Sequence, residues 1–389
     1  MATRIGVGLD DSRNGVACGK AAARQARAEL GLGRRPAIAL ALVFTSHKQP
    51  DAVLRGVNAV LGRVPITGVT AGGQYTHQGY VEHGAGVMLI HSDRMQFHLS
   101  VAKGWSSGQR LFAGLQGITG RGLGSPYKHR TLIIFPEDET MNLDGVVDTA
   151  LTETALMYDI LGGPGLTAMM PPRPPAVFIN REVVHAGLTS AEVLSERPLG
   201  LALANGWEPV SDAHRITQSD DRRIVTIDGR PALETYQDFL DTQGVQYRDV
   251  RDVMLHYPVG VCQEGDCKVS LVMGIEADGA LRSTSPPTAG SVVRFLATRS
   301  DAMIAAATRA IKQAYTAIHP HEAAGALFID CVSTGMVLED AYAQQQAAAR
   351  SGLGDVPFLG FRSHGVLARL PGQLAGHYEC TVGTCIIPA

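Results

Sequence analysis

The chain has 389 residues, 45% of them hydrophobic and 18% charged, with 34 basic against 37 acidic side chains. A net charge of −3 excludes a general affinity for nucleic acid or anionic membranes, and the length exceeds one ordinary core, which predicts two domains. No apolar run reaches membrane-spanning length and no signal-type segment opens the chain, so a cytoplasmic, reducing setting is expected and the six cysteines read first as thiols or ligands.

Residues 5–9 form a short apolar strand, and Asp10, Asp11 and Ser12 offer caps for an Ala-rich helix over residues 14–30. Gly6 and Gly8 mimic the start of a dinucleotide-binding fingerprint, but its third glycine is missing, which favours an ordinary strand-to-helix turn. An apolar strand (37–45), a helix (50–62) and the stretch VPITGVTAGGQ (64–74) follow. β-like runs come at 84–92 and 96–103, the second ending at Gly104-Trp105. A helix is expected at 108–118, a Gly-rich loop at 120–128, a strand at 131–135 and a helix at 143–158. Residues 162–175, rich in Gly, Pro and Met, read as a surface crossing or a lid.

Strand-like runs at 176–179 and 199–204 lead to Gly206-Trp207, and the polar stretch 211–223 marks a boundary. The expected domains are residues 1–210 and 211–389. Beyond the boundary come a strand and turn (225–229), a helix opened by Pro231, a short helix (249–255), strands at 268–275 and 291–297, and an amphipathic helix at 301–317. An apolar strand (323–331) and a helix (336–350) then lead to VPFLGFRSHGV (356–366). A Thr-rich apolar strand pair (379–387) closes the chain.

The two Gly-rich stretches align without a gap, matching Val64 with Val356, Pro65 with Pro357, Gly68 with Gly360 and Gly73 with Gly365. A strand and a helix precede each copy, so one strand–helix–strand unit is used twice. Hairpins mixed with βα units predict an α+β fold: two related halves of mixed sheets covered by helices. Strand exits at Gly-rich turns let ligands approach backbone. The positions where the copies differ, Thr70, Gln74, Arg362 and His364, are therefore the candidate ligand-binding residues, together with His377.

Two CxxxxC pairs, Cys262/Cys267 and Cys380/Cys385, each flank a turn. Four thiolates would complete a tetrahedral zinc site or hold an iron–sulfur cluster. Apolar packing, or one cross-strand disulfide per hairpin, are the alternatives. His319 and His321 read as a polar loop, and haem would need one axial ligand, for which His98, His256 and His364 are candidates. GxSxG, P-loop and HExxH motifs are absent. Cys331 at a strand end could pair with His364 as a thiol–imidazole nucleophile in a cysteine hydrolase.

The order of motifs resembles the FIST sensory family along nearly the whole chain. The matching pieces are GVTAGGQ (68–74), Gly162-Gly163, GWEP (206–209), IDGRPALETY (227–236), YPVG (257–260), the strand ending at Cys331, and GFRSHG (360–365). The resemblance implies an N-terminal and a C-terminal FIST domain that sense a small molecule, often suggested to be an amino acid, in intracellular signal transduction. One branch of the family resembles haem-binding nitric-oxide sensors acting on histidine kinases or cyclic-dinucleotide enzymes. Gln74 and Val366 stand where the family has glutamates. Ser333, Thr334 and Gly335 stand where an arginine is expected after Cys331. These departures imply a different ligand or a different grip. The expected site is the cleft between the two Gly-rich turns, with the ligand bound between the duplicated halves, and the expected mechanism is ligand-dependent closure of the halves, relayed to a partner.

Overall fold

A computed structural model describes residues 3–31, 37–104, 124–137, 142–166, 174–220, 222–263, 266–283 and 285–389. The helix expected at 108–118, Trp105 and most of the loop at 120–128 lie outside the described residues.

The first stretch of chain runs β1 (Arg4–Asp10), α1 (Gly15–Leu30), β2 (Leu40–Thr45), α2 (Pro50–Leu61), β3 (Ile66–Thr70), β4 (Gln74–Thr76), β5 (Gly79–Val81) and β6 (Ala85–His91). Asn14, not the Asp10–Ser12 run, caps α1, its side chain accepting from the Ala17 backbone N–H. The helix lies so close to β1 that a Cβ on Gly6 or Gly8 would sit about 2 Å from the Ala26 or Ala22 carbonyl oxygen. Close helix packing, not a cofactor, accounts for those glycines.

The same order returns as β7 (Met95–Lys103), β8 (His129–Pro136), α3 (Leu143–Glu153), β9 (Asp159–Gly162), β10 (Val177–Ile179), β11 (Glu182–Val184) and β12 (Gly187–Ser195). It begins a third time with β13 (Gly200–Ala204), which is interrupted by an inserted module. The module holds β14 (Trp207–Pro209), β15 (His214–Asp220), β16 (Arg223–Ile227), β17 (Arg230–Pro231), α4 (Ala232–Thr242), β18 (Val259–Gln263), β19 (Asp266–Ser270), β20 (Val272–Ile275), β21 (Leu281–Ser283) and β22 (Val292–Thr298). The third unit resumes with α5 (Ser300–Ile318), β23 (Ala323–Cys331), α6 (Val332–Leu338), α7 (Tyr342–Leu353), β24 (Phe358–Ser363), β25 (Val366–Arg369), β26 (Gly376–Tyr378) and β27 (Val382–Pro388).

Three six-stranded sheets have one topology: β1-β6-β2-β3-β10-β11, β7-β12-β8-β9-β25-β26 and β13-β27-β23-β24-β4-β5. Each has one parallel pair, β2/β3, β8/β9 and β23/β24. Each unit also lends its hairpin to a neighbour. The first lends β4–β5 to the third, the second lends β10–β11 to the first, and the third lends β25–β26 to the second. The units thus close a ring of pseudo-threefold symmetry. The mixed-sheet α+β architecture and the duplication are present, and the structure adds a third copy of the unit.

The inner faces meet in one core, where Phe44 stacks on Phe361 at 3.9 Å between ring centroids and Phe135 packs edge-on to both. Outer faces are covered by α1 and α2, by α3, and by α5 and α7. The inserted module has its own core around Tyr236, Phe239 and Phe295. It packs on the ring through Trp207, Cys267, Leu271, Met303, Leu338 and Cys380. Among the described residues no helix is long and apolar enough to cross a membrane.

Candidate functional site

Each parallel strand pair ends at an exit, and the three exits correspond in ladder register. Gly68 faces Val43, Gly162 faces Ile134 and Gly360 faces Phe328 across their ladders. Two residues beyond stand Thr45 and Thr70 in the first unit, Pro136 and Pro164 in the second, and Asp330 and Arg362 in the third. A lent hairpin borders each exit. Its equivalent positions, opposite Phe178, Leu367 and Tyr75, are Val183, His377 and Tyr80. A helix start closes the fourth side.

The third exit carries a polar ring. The Arg362 guanidinium, half-buried, lies 4.7 Å over the centroid of the Tyr342 ring and sits beside Tyr80, whose phenol is raised by burial against the smaller, lowering pull of that guanidinium. The Tyr342 hydroxyl donates to one oxygen of Asp330, which is only 1% exposed. Burial pushes the Asp330 carboxyl up to about 6, against the opposing pull of the Tyr342 hydroxyl and Arg362. Burial and the Asp330 charge raise the Tyr342 phenol. Four buried polar atoms around this ring have no protein partner among the described residues: Asp330 Oδ1, Arg362 Nε, Thr334 Oγ1 and Tyr75 Oη. Such atoms cost about 1–3 kcal/mol each when left unmade, so a bound group that paired them would recover a good part of its binding free energy there. Arg362 also reaches the place beside α6 where the sequence has Ser333, Thr334 and Gly335. A Cβ on Gly335 would lie 2.9 Å from its Nη2.

The second exit is filled by the inserted module. Lys268 places its ammonium 2.5 Å from Asp144 at the start of α3, and Asp144 also accepts the His377 backbone N–H at 2.8 Å. The fully buried His377 ring donates from Nε2 to the His364 carbonyl at 2.8 Å, which leaves Nδ1 to accept from the Ser285 hydroxyl. Burial is the main cause that lowers His377, to about 4, so the ring is neutral.

The first exit opens into a cavity of about 210 Å³. Thr45, Thr70, His47, Lys48, Asp51, Leu166 and His185 are among its walls.

The five sequence-selected ligand residues are therefore spread over three places. Arg362 is in the polar ring. Thr70 lines the first cavity, its hydroxyl oxygen accepting from the Ala176 N–H at 3.1 Å. His364 and His377 belong to the second exit. Gln74 is fully buried, with Oε1 accepting from Ser46 at 3.2 Å and Nε2 unpartnered among the described residues. Nor is there a cleft between the two Gly-rich turns. The Gly72 N–H donates to the Arg362 carbonyl and the Arg362 N–H to the Gly73 carbonyl, each at 3.0 Å, so backbone hydrogen bonds close that seam. Asp330, Tyr342 and Tyr80 were not singled out from sequence, and Thr334 stood out only as part of the run that replaces an expected arginine. The signal for Asp330 was present, as a lone charge inside the apolar run AAGALFIDC.

The four-thiolate set is corrected. Cys262 and Cys267, directly opposed across β18 and β19, form a disulfide. Cys380 packs in the cluster between module and ring, whereas Cys385 points into the central core. No group of three or more metal-type ligands occurs among the described residues. Cys331 is fully buried, its thiol is pushed up to about 11 by that burial, and its sulfur accepts the Cys380 N–H at 3.3 Å. A thiol so placed is a poor nucleophile at neutral pH.

Two family models match the chain in succession, the FIST N domain over residues 39–230 and the FIST C domain over residues 232–369. No curated protein matches. Among solved structures the chain is similar to a cyanuric acid hydrolase from A. caulinodans, with 11% identity and a TM-score of 0.29 over 50% of this chain and 71% of that one. It is also similar to a cyanuric acid hydrolase described as an evolutionary innovation by structural concatenation, with 10% identity and a TM-score of 0.35 over the whole of both chains. A third similarity is to phosphoribosylformylglycinamidine synthase II from Thermotoga maritima, with 10% identity and a TM-score of 0.24 over 99% of this chain and 72% of that one.

Proposed function

Since the chain belongs to the FIST family, a family of sensory domains in signal transduction, we propose that it senses a small polar molecule at the third strand exit. The observation that carries this reading is the polar ring of Asp330, Tyr342, Arg362 and Tyr80, with its unpartnered buried atoms. A carboxylate on the ligand would pair with the guanidinium of Arg362 in charge-assisted hydrogen bonds. An ammonium group would pair with the open oxygen of Asp330 and favour its ionised form. An amino acid or a close analogue supplies both. The side chains around the ring come from β23, β24, α7 and a hairpin lent by the first unit, so a ligand there bridges separate units. Its differential affinity for closed and open arrangements would be the signal, passed to a partner such as a histidine kinase or a cyclic-dinucleotide enzyme.

The test is a calorimetric titration of the purified chain with the common amino acids, repeated on Arg362→Ala and Asp330→Asn. Binding that weakens in both variants by about tenfold or more, the worth of one charge-assisted hydrogen bond, supports the site. An identified ligand that binds both variants as it binds the parent sinks it.

A further inference from the structure

The three exits share one strand pairing and hold different contents. The third carries the polar ring, the second is filled in cis by Lys268 and Ser285, and the first is a cavity. The cis-filled exit shows what this frame can hold. Asp144 is the second residue of α3, and its Oδ1 takes the ammonium of a lysine that arrives from another module. Asp51 is the second residue of α2, the equivalent helix, and it lines the cavity from its exposed side, more open to solvent than Asp144. Among the described residues it is the only carboxylate in the cavity walls, and Ala71, Leu166, Pro50 and Pro174 make the apolar part. The hairpin positions differ in the same sense. The imidazole of His377, which binds Ser285 in the second exit, is replaced by Val183 in the first, so this exit has a carboxylate and an apolar wall without the serine's partner. Lys48, a cationic wall residue, is exposed.

We propose that this cavity is a second binding site, which takes a small organic ammonium ion with an apolar body, held by Asp51 as Lys268 is held by Asp144. The ammonium would sit at the start of α2 and the apolar part against Ala71 and Leu166. The site is separate from Arg362 and does not depend on what binds there.

The probe is phenethylammonium, titrated calorimetrically into the full chain, with phenylacetate as the anion of similar shape. Saturable binding of the amine is expected. Asp51→Asn should weaken it by about 2- to 5-fold, the range for an exposed, solvent-screened charge pair. Leu166→Trp, which fills the cavity, should abolish it, and Arg362→Ala should leave it unchanged. Lys48→Ala, which removes the competing cation, should tighten it. Amine binding that is absent at millimolar concentration, or insensitive to Asp51→Asn, overturns the proposal. So does tighter binding of phenylacetate. Loss in Arg362→Ala alone would assign the amine to the third exit and equally overturn it. Should Leu166→Trp fail to fold, Asp51→Asn still decides.

Discussion

The second and third exits are built on the same strand pair and the same lent hairpin, yet they treat buried polarity in opposite ways. At the second, the donors and acceptors of His377 are met: Nε2 by the His364 carbonyl, Nδ1 by Ser285 and the backbone N–H by Asp144. At the third, Asp330 is as deeply buried but one of its oxygens has no partner, and Arg362, Thr334 and Tyr75 also hold open atoms. The first kind of burial is an internal joint. The second leaves polar atoms unmet, and it is on that difference that the proposed ligand site rests. Family membership alone does not explain the contrast: the third-exit residues all lie within the matched residues, as do Asp144, Lys268 and Ser285 of the second, and only His377 falls beyond them.

The equivalence beneath that comparison can be broken at the glycines. A Cβ on Gly68 or Gly162 would lie 1.9 Å from the carbonyl oxygen of Val43 or Ile134, a backbone atom that cannot move aside. Gly68→Ala and Gly162→Ala should therefore cost alike, more than about 4 kcal/mol, the range of the severest single substitutions. Gly360→Ala meets the ring of Tyr75 at 2.5 Å instead. A side chain can shift, so the cost there should be about 1–3 kcal/mol, as for overpacking. Urea unfolding of the three variants checks this. A mild Gly162→Ala would remove the second unit from the repeat.

The titrating groups of the two exits sharpen the contrast, because their pH dependences have opposite signs. Asp330 is an acid raised on folding to about 6. The folded state then holds the extra proton between about pH 4 and 6, so its contribution to stability falls as pH rises through that window, by about 3 kcal/mol in all. His377 is a base lowered on folding to about 4. There the unfolded state holds the extra proton, so stability rises with pH between about 4 and 6.5, again by about 3 kcal/mol. In the parent the two slopes offset. Asp330→Asn should gain stability over the parent as pH rises from 4 to 7, and His377→Gln should lose its pH-dependent gain over the same range. Unfolding free energies at pH 4, 5, 6 and 7 for the three proteins decide. Parallel curves would mean that neither group is buried in the state described.

Part of this was legible in the sequence. The Gly68/Gly360 alignment was visible because both copies kept the Val-Pro lead and the same spacing. The third copy was not, because Tyr158-Asp159 replaces Val-Pro and Gly162-Gly163-Pro164 looks like the start of a loop. Exchange of hairpins leaves no local trace, since each lent strand pairs far from its own unit. That exchange is why residues chosen for differing between copies fell into three places. Arg362 was found for its contrast with Thr70, but its ring partner Tyr342 lies within a helix expected to be continuous from 336 to 350. The structure ends α6 at Leu338 and restarts at Tyr342, and that break is what lets the phenol reach Asp330. The paired cysteines were seen, but spacing does not distinguish opposed ladder positions that make a disulfide from a metal knuckle.

The smallest expected effect tests whether the inserted module plugs the second exit or merely rests beside it. Lys268 and Asp144 are part-buried, with side chains 17% and 35% exposed, so solvent screens their attraction and the pair itself is worth about 1 kcal/mol or less. Lys268→Ala should lower global stability by no more than that. Its local effect should be larger, because Asp144 would keep only the His377 N–H and water would enter beside Ser285. Amide hydrogen exchange at His377 should accelerate by about tenfold, the equivalent of 1.4 kcal/mol of local opening, while exchange in the core strands β2 and β24 stays as in the parent. Asp144→Asn, which keeps a hydrogen-bond acceptor for the His377 N–H but drops the charge, should give a smaller acceleration. Equal exchange in parent and Lys268→Ala would mean that the lysine closes nothing, and the first exit would then lose its internal model for how an ammonium is held.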